Sequence, residues 1–155
     1  MADRAGTAPL PLDPRAVRTA ATATDVEDAI RQCGAVLQEV GAVDGSYTGA
    51  MLERERSIST YVGEGVAIPH GTLTSKEAVR HDALCVLRFP DGVDWHGEQV
   101  TVCVGIAAGG DGHLRLLSEL AQILLDPDRA AALRGATEVD EVIHLLQPDG
   151  EEDSE

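Results

Sequence analysis

The sequence is poor in aromatic and basic residues. Its 155 residues include one Phe, one Trp and two Tyr. The core of the single domain that this length predicts must therefore consist mainly of Leu, Val, Ile and Ala. Twelve basic residues against 27 acidic ones give a formal net charge of −15. That charge argues against binding to nucleic acid or to an anionic membrane surface.

Long apolar runs are also missing. No stretch approaches the roughly 18 residues of a membrane span, and the N-terminus lacks the apolar region of a secretory signal. The three cysteines, Cys33, Cys85 and Cys103, are far apart, odd in number and without Cys-x-x-Cys spacing. We therefore expect a soluble cytoplasmic protein whose cysteines are reduced, small buried apolar residues.

The order of apolar patterns favours an α/β fold, because strands and helices alternate around one core. We expect a single-domain mixed β-sheet of about five strands, flanked by helices on both faces. Residues 1–13, rich in Ala, Pro and Gly, are predicted to be a flexible leader, and 14–148 the domain. The acidic residues 149–155 are predicted to be a solvated, disordered tail.

Periodicity and breaker residues also locate the individual elements. A capping box is predicted at Thr24 and Glu27, and a turn at Pro90-Asp91-Gly92. The expected elements are a strand at 14–18, helices at 25–40 and 46–56, a short strand ending at Ile68, strands at 83–89 and 100–106, and three helices that begin at His113, after Asp126 and at Thr137.

Two of the five histidines have a setting that suits chemistry. For His81, His96 and His144 a surface or boundary position is the simpler interpretation. His70 and His113 each lie beside glycine, where backbone can approach a ligand. His70 follows the predicted strand. His113 is expected at a helix N-terminus, whose N–H groups and dipole suit a phosphoryl group.

Histidine is well suited to carrying a phosphoryl group, because its pKa of about 6.5 leaves much of it neutral at cellular pH. The same helix dipole disfavours a charged ring at His113, and Arg54 could hold phosphoryl oxygens. From spacing alone, two alternatives stay open. His70 and His113 could be zinc ligands, or ordinary loop histidines in a metal-binding or structural domain.

A longer motif surrounds His70. The stretch Met51–Arg56, followed by Ser59–Thr72 with the sequence STYVGEGVAIPHGT, resembles the enzyme IIA domain of the fructose–mannitol class of the bacterial phosphoenolpyruvate-dependent sugar phosphotransferase system. Val104–Ala108 with His113 resembles a second signature of that family. The likeness covers roughly Pro14 to Gln147.

Within that family, the mannitol branch is the closer likeness, partly because of the run Phe89-Pro90-Asp91-Gly92-Val93. The resemblance implies that His70 is phosphorylated on Nε2 and that His113 is a second active-site histidine. It also implies that Arg54 is the active-site arginine and that Thr60 offers a hydroxyl contact.

The resemblance further implies the partners. The donor would be phospho-HPr, and the acceptor a cysteine of the enzyme IIB domain of the mannitol permease, with sugar phosphorylation during uptake following. The protein would reach the membrane only through IIB and IIC, as a free-standing subunit, and would need no metal or organic cofactor. The alternative within the family is a fructose-type or regulatory enzyme IIA phosphorylated at the same histidine.

Overall fold

The computed structural model describes residues 11–109 and 111–147. The predicted tail 149–155 and residues 1–10 of the predicted leader lie outside the described residues. The helices are α1 Val26–Glu39, α2 Tyr47–Ser57, α3 Asp111–Leu124, α4 Pro127–Arg134 and α5 Val139–Leu146. The strands are β1 Leu12–Arg18, β2 Tyr61–Gly63, β3 Val66–Ala67, β4 Ala83–Trp95 and β5 Glu98–Ala107, and Leu73–Ala78 form a 3₁₀ segment.

The five strands form one mixed sheet in the order β1-β4-β5-β3-β2. β1 runs parallel to β4, and β3 runs parallel to β5, whereas β4–β5 and β2–β3 are antiparallel. Residues 102–107 of β5 are all buried. Since successive strand residues point to opposite faces, the centre of the sheet is covered on both sides. The predicted mixed α/β sheet with flanking helices is confirmed.

Helix α1 packs closely on the sheet because β5 has a glycine there. A Cβ added at Gly105 would lie 2.6 Å from Cys85 Sγ and 3.1 Å from Cys33 Cβ, so any side chain would push the helix away. Cys33, Cys85 and Cys103 are all free and buried, which confirms their expected role as small core residues.

The capping box predicted at Thr24 and Glu27 is wrong, because the N-cap of α1 lies one residue later. Asp25 is the N-cap, and its Oδ1 accepts the Asp28 N–H at 2.9 Å. The Asp28 carboxylate accepts the Thr24 N–H at 2.9 Å. Carboxylates cap helix N–H groups as well as hydroxyls do, so Asp25 competes with Thr24 for the position.

The turn predicted at Pro90–Gly92 is also wrong. Strand β4 continues to Trp95, with a shift of register between Arg88 and Val93. Proline has no N–H to donate to the neighbouring strand, and such an irregularity lets the strand continue past it. The reversal occurs at His96-Gly97, where both φ angles are positive, 55° and 97°, as in the primed turns that suit hairpins.

Three predicted element starts differ slightly from the structure. Strand β1 begins at Leu12 rather than at residue 14, since Leu12 is buried and pairs with Leu84. Helix α3 begins at Asp111, two residues before His113, and α5 begins at Val139 rather than at Thr137. Asp126 caps α4 as expected, accepting the Asp128 N–H at 3.0 Å. In the described part of the chain, no helix has the length and apolar character needed to cross a membrane.

Candidate active site

His70 lies three residues beyond the end of strand β3, beside the central strand β5. Strand β3 pairs with β5 through Val66–Val102 and Ala67–Cys103, and the pairing resumes in unchanged register between His70 and Ile106. The Ile106 N–H donates to the Pro69 carbonyl at 2.9 Å. Parallel strands end at the same sheet edge, and in α/β sheets ligands bind beyond that edge.

The N-terminus of α3 reaches the same edge. Strand β5 ends at Ala107, one residue after the pairing partner of His70, and α3 begins at Asp111. His113 is therefore in the first turn of α3, where backbone N–H groups have no partner within the helix. The side chain of His113 lies outside what the structure describes, so its predicted role stays a prediction.

A hydrogen bond to the backbone helps to orient the ring of His70. Its Nδ1 lies 2.8 Å from the carbonyl oxygen of Ile68. A carbonyl can only accept, so Nδ1 carries the proton and the neutral ring has its lone pair on Nε2. The residue as a whole is 5% exposed, which restricts the ring to few orientations.

Tyr47, at the start of α2, joins the segments around His70. Its hydroxyl donates to the Ile106 carbonyl at 2.8 Å and accepts the Gly71 N–H at 2.9 Å. Burial raises the pKa of Tyr47, which keeps the phenol protonated as a donor. The approach requires Gly71, since a Cβ there would lie 2.6 Å from the tyrosine ring. This role of Tyr47 was not predicted from the sequence. The only hint was that the chain has just two tyrosines.

Replacing Tyr47 with Phe should lower the free energy of unfolding by about 1–3 kcal/mol, because a buried N–H and a buried carbonyl both lose their partner. Thermal or denaturant unfolding measures the loss. Tyr61→Phe is the matched control: the Tyr61 hydroxyl accepts the Gly65 N–H at a long 3.4 Å, so its loss should cost less than about 0.5 kcal/mol. Equal stabilities for the two variants would contradict a bridging role of Tyr47.

Thr60 is buried and bonded to a buried glutamate on α2. Its N–H and its hydroxyl both donate to Glu55 Oε1, at 3.0 and 2.5 Å. Glu55 Oε2 accepts from Trp95 Nε1 and His96 Nε2, each at 3.0 Å. The Thr60 carbonyl in turn accepts the Ile68 N–H at 3.0 Å. The hydroxyl proton of Thr60 thus points to Glu55, and sequence reasoning missed this glutamate.

Arg54 lies in the last turn of α2. Its Nη1 donates to the Ile58 carbonyl at 2.6 Å, two residues before Thr60. The guanidinium group has five donors in all, so this bond fixes the side chain without using its capacity for an anion. The structure thus joins Thr60 to His70 through Ile68, and holds Arg54 on the segment that leads to Thr60.

A metal site is the alternative chemistry for the histidines. Across residues 11–109 and 111–147, no three His, Cys, Asp or Glu side chains are grouped so that they could hold a metal ion. What the described geometry offers is an imidazole oriented through Nδ1 at the carboxyl edge of parallel strands, beside a helix N-terminus. Such a site is typical of proteins that accept a group on a histidine ring nitrogen.

Comparison with known proteins identifies the family. The model of the family described as "Phosphoenolpyruvate-dependent sugar phosphotransferase system, EIIA 2" matches residues 11–148. The chain belongs to this family, as the motif around His70 predicted.

Relatives show the same kinship. The chain is 44% identical over 130 residues to a multiphosphoryl transfer protein of Salmonella typhimurium, covering 83% of this chain but only 34% of that protein. It is 39% identical over 135 residues to the mannitol-specific phosphotransferase enzyme IIA component of Halalkalibacterium halodurans, covering 87% and 93%. It thus spans about a third of the first relative and nearly all of the second.

A solved structure agrees with the fold. The complex of enzyme IIA-mannitol and phosphorylated enzyme IIB-mannitol from Escherichia coli contains a chain 33% identical to this one. The two superpose with a TM-score of 0.82, over 88% of this chain and 97% of the other.

Proposed function

We propose that this protein is a phosphocarrier whose His70 accepts a phosphoryl group on Nε2 from phospho-HPr. It then passes the group to a cysteine of an enzyme IIB, most directly that of a mannitol permease. The observation that carries the proposal is the bond from His70 Nδ1 to the Ile68 carbonyl. A proton on Nδ1 leaves the lone pair of the neutral ring on Nε2, which supports that atom as the nucleophile.

The transfer follows from this tautomer. The Nε2 lone pair forms a bond to phosphorus while the phosphorus–nitrogen bond of the donor histidine breaks and returns its electron pair to that ring. The His70 ring then becomes positively charged, and its Nδ1–H donates more strongly to the Ile68 carbonyl. In the second step a thiolate of IIB attacks phosphorus, and the Nε2 bond breaks to restore the neutral ring.

The phosphoryl oxygens need donors in both steps. The N-terminal turn of α3, including His113, lies at the edge where His70 is placed and supplies the positive end of a helix dipole. Arg54 supplies a planar, permanently charged fork. Thr60 contributes through its position in the segment bonded to Ile68, while its hydroxyl donates to Glu55 Oε1. The step uses no metal ion or organic cofactor.

Exposed apolar side chains near Thr60 favour other proteins as the binding partners of this chain. Ile58 is 66% exposed and Val62 is 42% exposed, and each lies two residues from Thr60. Both belong to the segment that leads from α2 towards His70, and exposed apolar side chains suit docking of a protein better than binding of a small polar sugar. The related chain occurs in a complex with phosphorylated enzyme IIB-mannitol, which supports IIB as the acceptor here. We further propose a cytoplasmic location, because the proposed donor HPr acts there.

A chase experiment tests the acceptor. The protein is phosphorylated with phosphoenolpyruvate, enzyme I and HPr, freed of them, and mixed with a mannitol-type or a fructose-type IIB. We expect rapid transfer to the mannitol-type IIB and transfer at least about tenfold slower to the other, a discrimination of about 1.4 kcal/mol. Faster transfer to the fructose-type IIB would reassign the sugar. Transfer to neither would favour a regulatory enzyme IIA.

A further inference from the structure

Glu55 is a buried carboxylate that joins three parts of the fold. It lies on α2, accepts two hydrogen bonds from Thr60 and two more from Trp95 and His96 in the β4–β5 hairpin. Burying a charge is costly unless every lone pair is satisfied. An apolar side chain of similar size would hold the same elements together at less cost, so stability alone does not explain a carboxylate there.

His96 shows that the hairpin is adapted to this carboxylate. Its φ of 55° lies in the left-handed region, which residues other than glycine rarely adopt. Its side chain is 55% exposed, while that of Glu55 is 4% exposed. The ring therefore covers the carboxylate from the solvent side and donates from Nε2 at 3.0 Å. Such backbone strain persists where the surrounding contacts determine it.

A continuous chain of hydrogen bonds runs from this carboxylate to the active histidine. Glu55 holds both the N–H and the hydroxyl of Thr60, and the Thr60 carbonyl accepts the Ile68 N–H at 3.0 Å. The Ile68 carbonyl then accepts the proton on Nδ1 of His70 at 2.8 Å. The peptide that selects the tautomer of His70 is thus positioned from Glu55.

We propose that Glu55 is a positioning residue for phosphoryl transfer: through Thr60 and Ile68 it keeps the His70 proton on Nδ1 and the ring lone pair on Nε2. The inference rests on the proposed function of His70. It assigns to Glu55, Trp95 and His96 a part in setting the ring tautomer, with no contact to the phosphoryl group itself.

The test uses Glu55→Gln in the full chain. The glutamine side chain keeps one acceptor oxygen, but its NH₂ group then faces another donor, either at Trp95 or at Thr60. One set of hydrogen bonds at position 55 is therefore lost with little change in volume. Nitrogen NMR of the imidazole rings, above the titration range of His70, reports the tautomer without any phosphoryl donor. We expect the Nδ1–H form to dominate in the unchanged protein and its share to fall at least threefold in the variant.

Kinetics give the second readout. The maximal rate of phosphoryl acceptance from HPr should fall about tenfold in Glu55→Gln, while the KM for HPr stays within about twofold, as expected when only orientation is lost. Leu133→Ala is the matched control, because Leu133 is buried in α4 and its loss also destabilises the core. It should leave both the tautomer and the rate unchanged.

A second variant covers the case in which Glu55→Gln fails to fold. Thr60→Val removes only the hydroxyl donor to Glu55, and it should shift the His70 tautomer in the same direction. An unchanged tautomer in every variant that folds, or an equal shift in Leu133→Ala, would overturn the inference. Since the tautomer is read without HPr, failure of the phosphocarrier function would appear separately, as an unphosphorylated parent protein.

Discussion

His70→Ala should accept no phosphoryl group from phospho-HPr, a fall of at least about 10⁴-fold, because removal of a covalent nucleophile leaves no atom to carry the group. The fold should remain. The side chain makes a local bond to Ile68, whose loss should cost about 1–2 kcal/mol. Incorporation of labelled phosphate gives the first quantity, and thermal unfolding gives the second.

The control for this variant is His144→Ala, which removes a histidine from α5, an element at the β1 end of the molecule. It should be phosphorylated at the normal rate. Labelling of His70→Ala at a rate near that of the unchanged protein would show that another residue is the carrier. The proposed function would then be wrong even though the family assignment stands.

His113→Ala should still be phosphorylated at His70, but about 10²-fold more slowly, the scale of losing one donor to a charge that develops in the transition state. The reason is the position of His113 in the first turn of α3, at the edge reached by His70. The fold should be unaffected, because the substitution leaves the backbone of α3 intact. Rapid-quench measurements of transfer from HPr and to IIB give both rates.

Two features distinguish this result from a general loss of activity. The KM for HPr should change little, because the lost contact acts on the reacting group and not on docking. The phosphate that is incorporated should still be on His70. Normal rates in both directions would remove His113 from the site, and would leave Arg54 and the α3 N-terminus as the donors for the phosphoryl oxygens.

Local patterns were sufficient to predict much of this fold. The amphipathic repeat of α1 and the alternation of β5 are one-dimensional signals, and both elements were expected within a few residues. The run Ile68-Pro69-His70-Gly71 predicted the end of the strand before His70 to within one residue, since β3 ends at Ala67. These features depend on neighbours in sequence, and the motif around them carried the family.

The rest depends on contacts between distant parts of the chain. Tyr47 and Ile106 are 59 residues apart, and Glu55 and Trp95 are 40 apart. Neither pair falls within the length of a single helix or strand, over which sequence patterns are read. The continuation of β4 through Pro90 is a further case, because a bulge is decided by the partner strand. His96 seemed an ordinary surface histidine because its partner, Glu55, comes from another element.

The central claim is that Nε2 of His70 carries the phosphoryl group, and mapping that group tests it most directly. The full-length protein is incubated with phosphoenolpyruvate, enzyme I and HPr, and the acid-labile phosphate is located by mass spectrometry and by phosphorus–nitrogen NMR. We predict one phosphate per chain, bonded to Nε2 of His70. Phosphate on Nδ1, on another residue, or on none would contradict it.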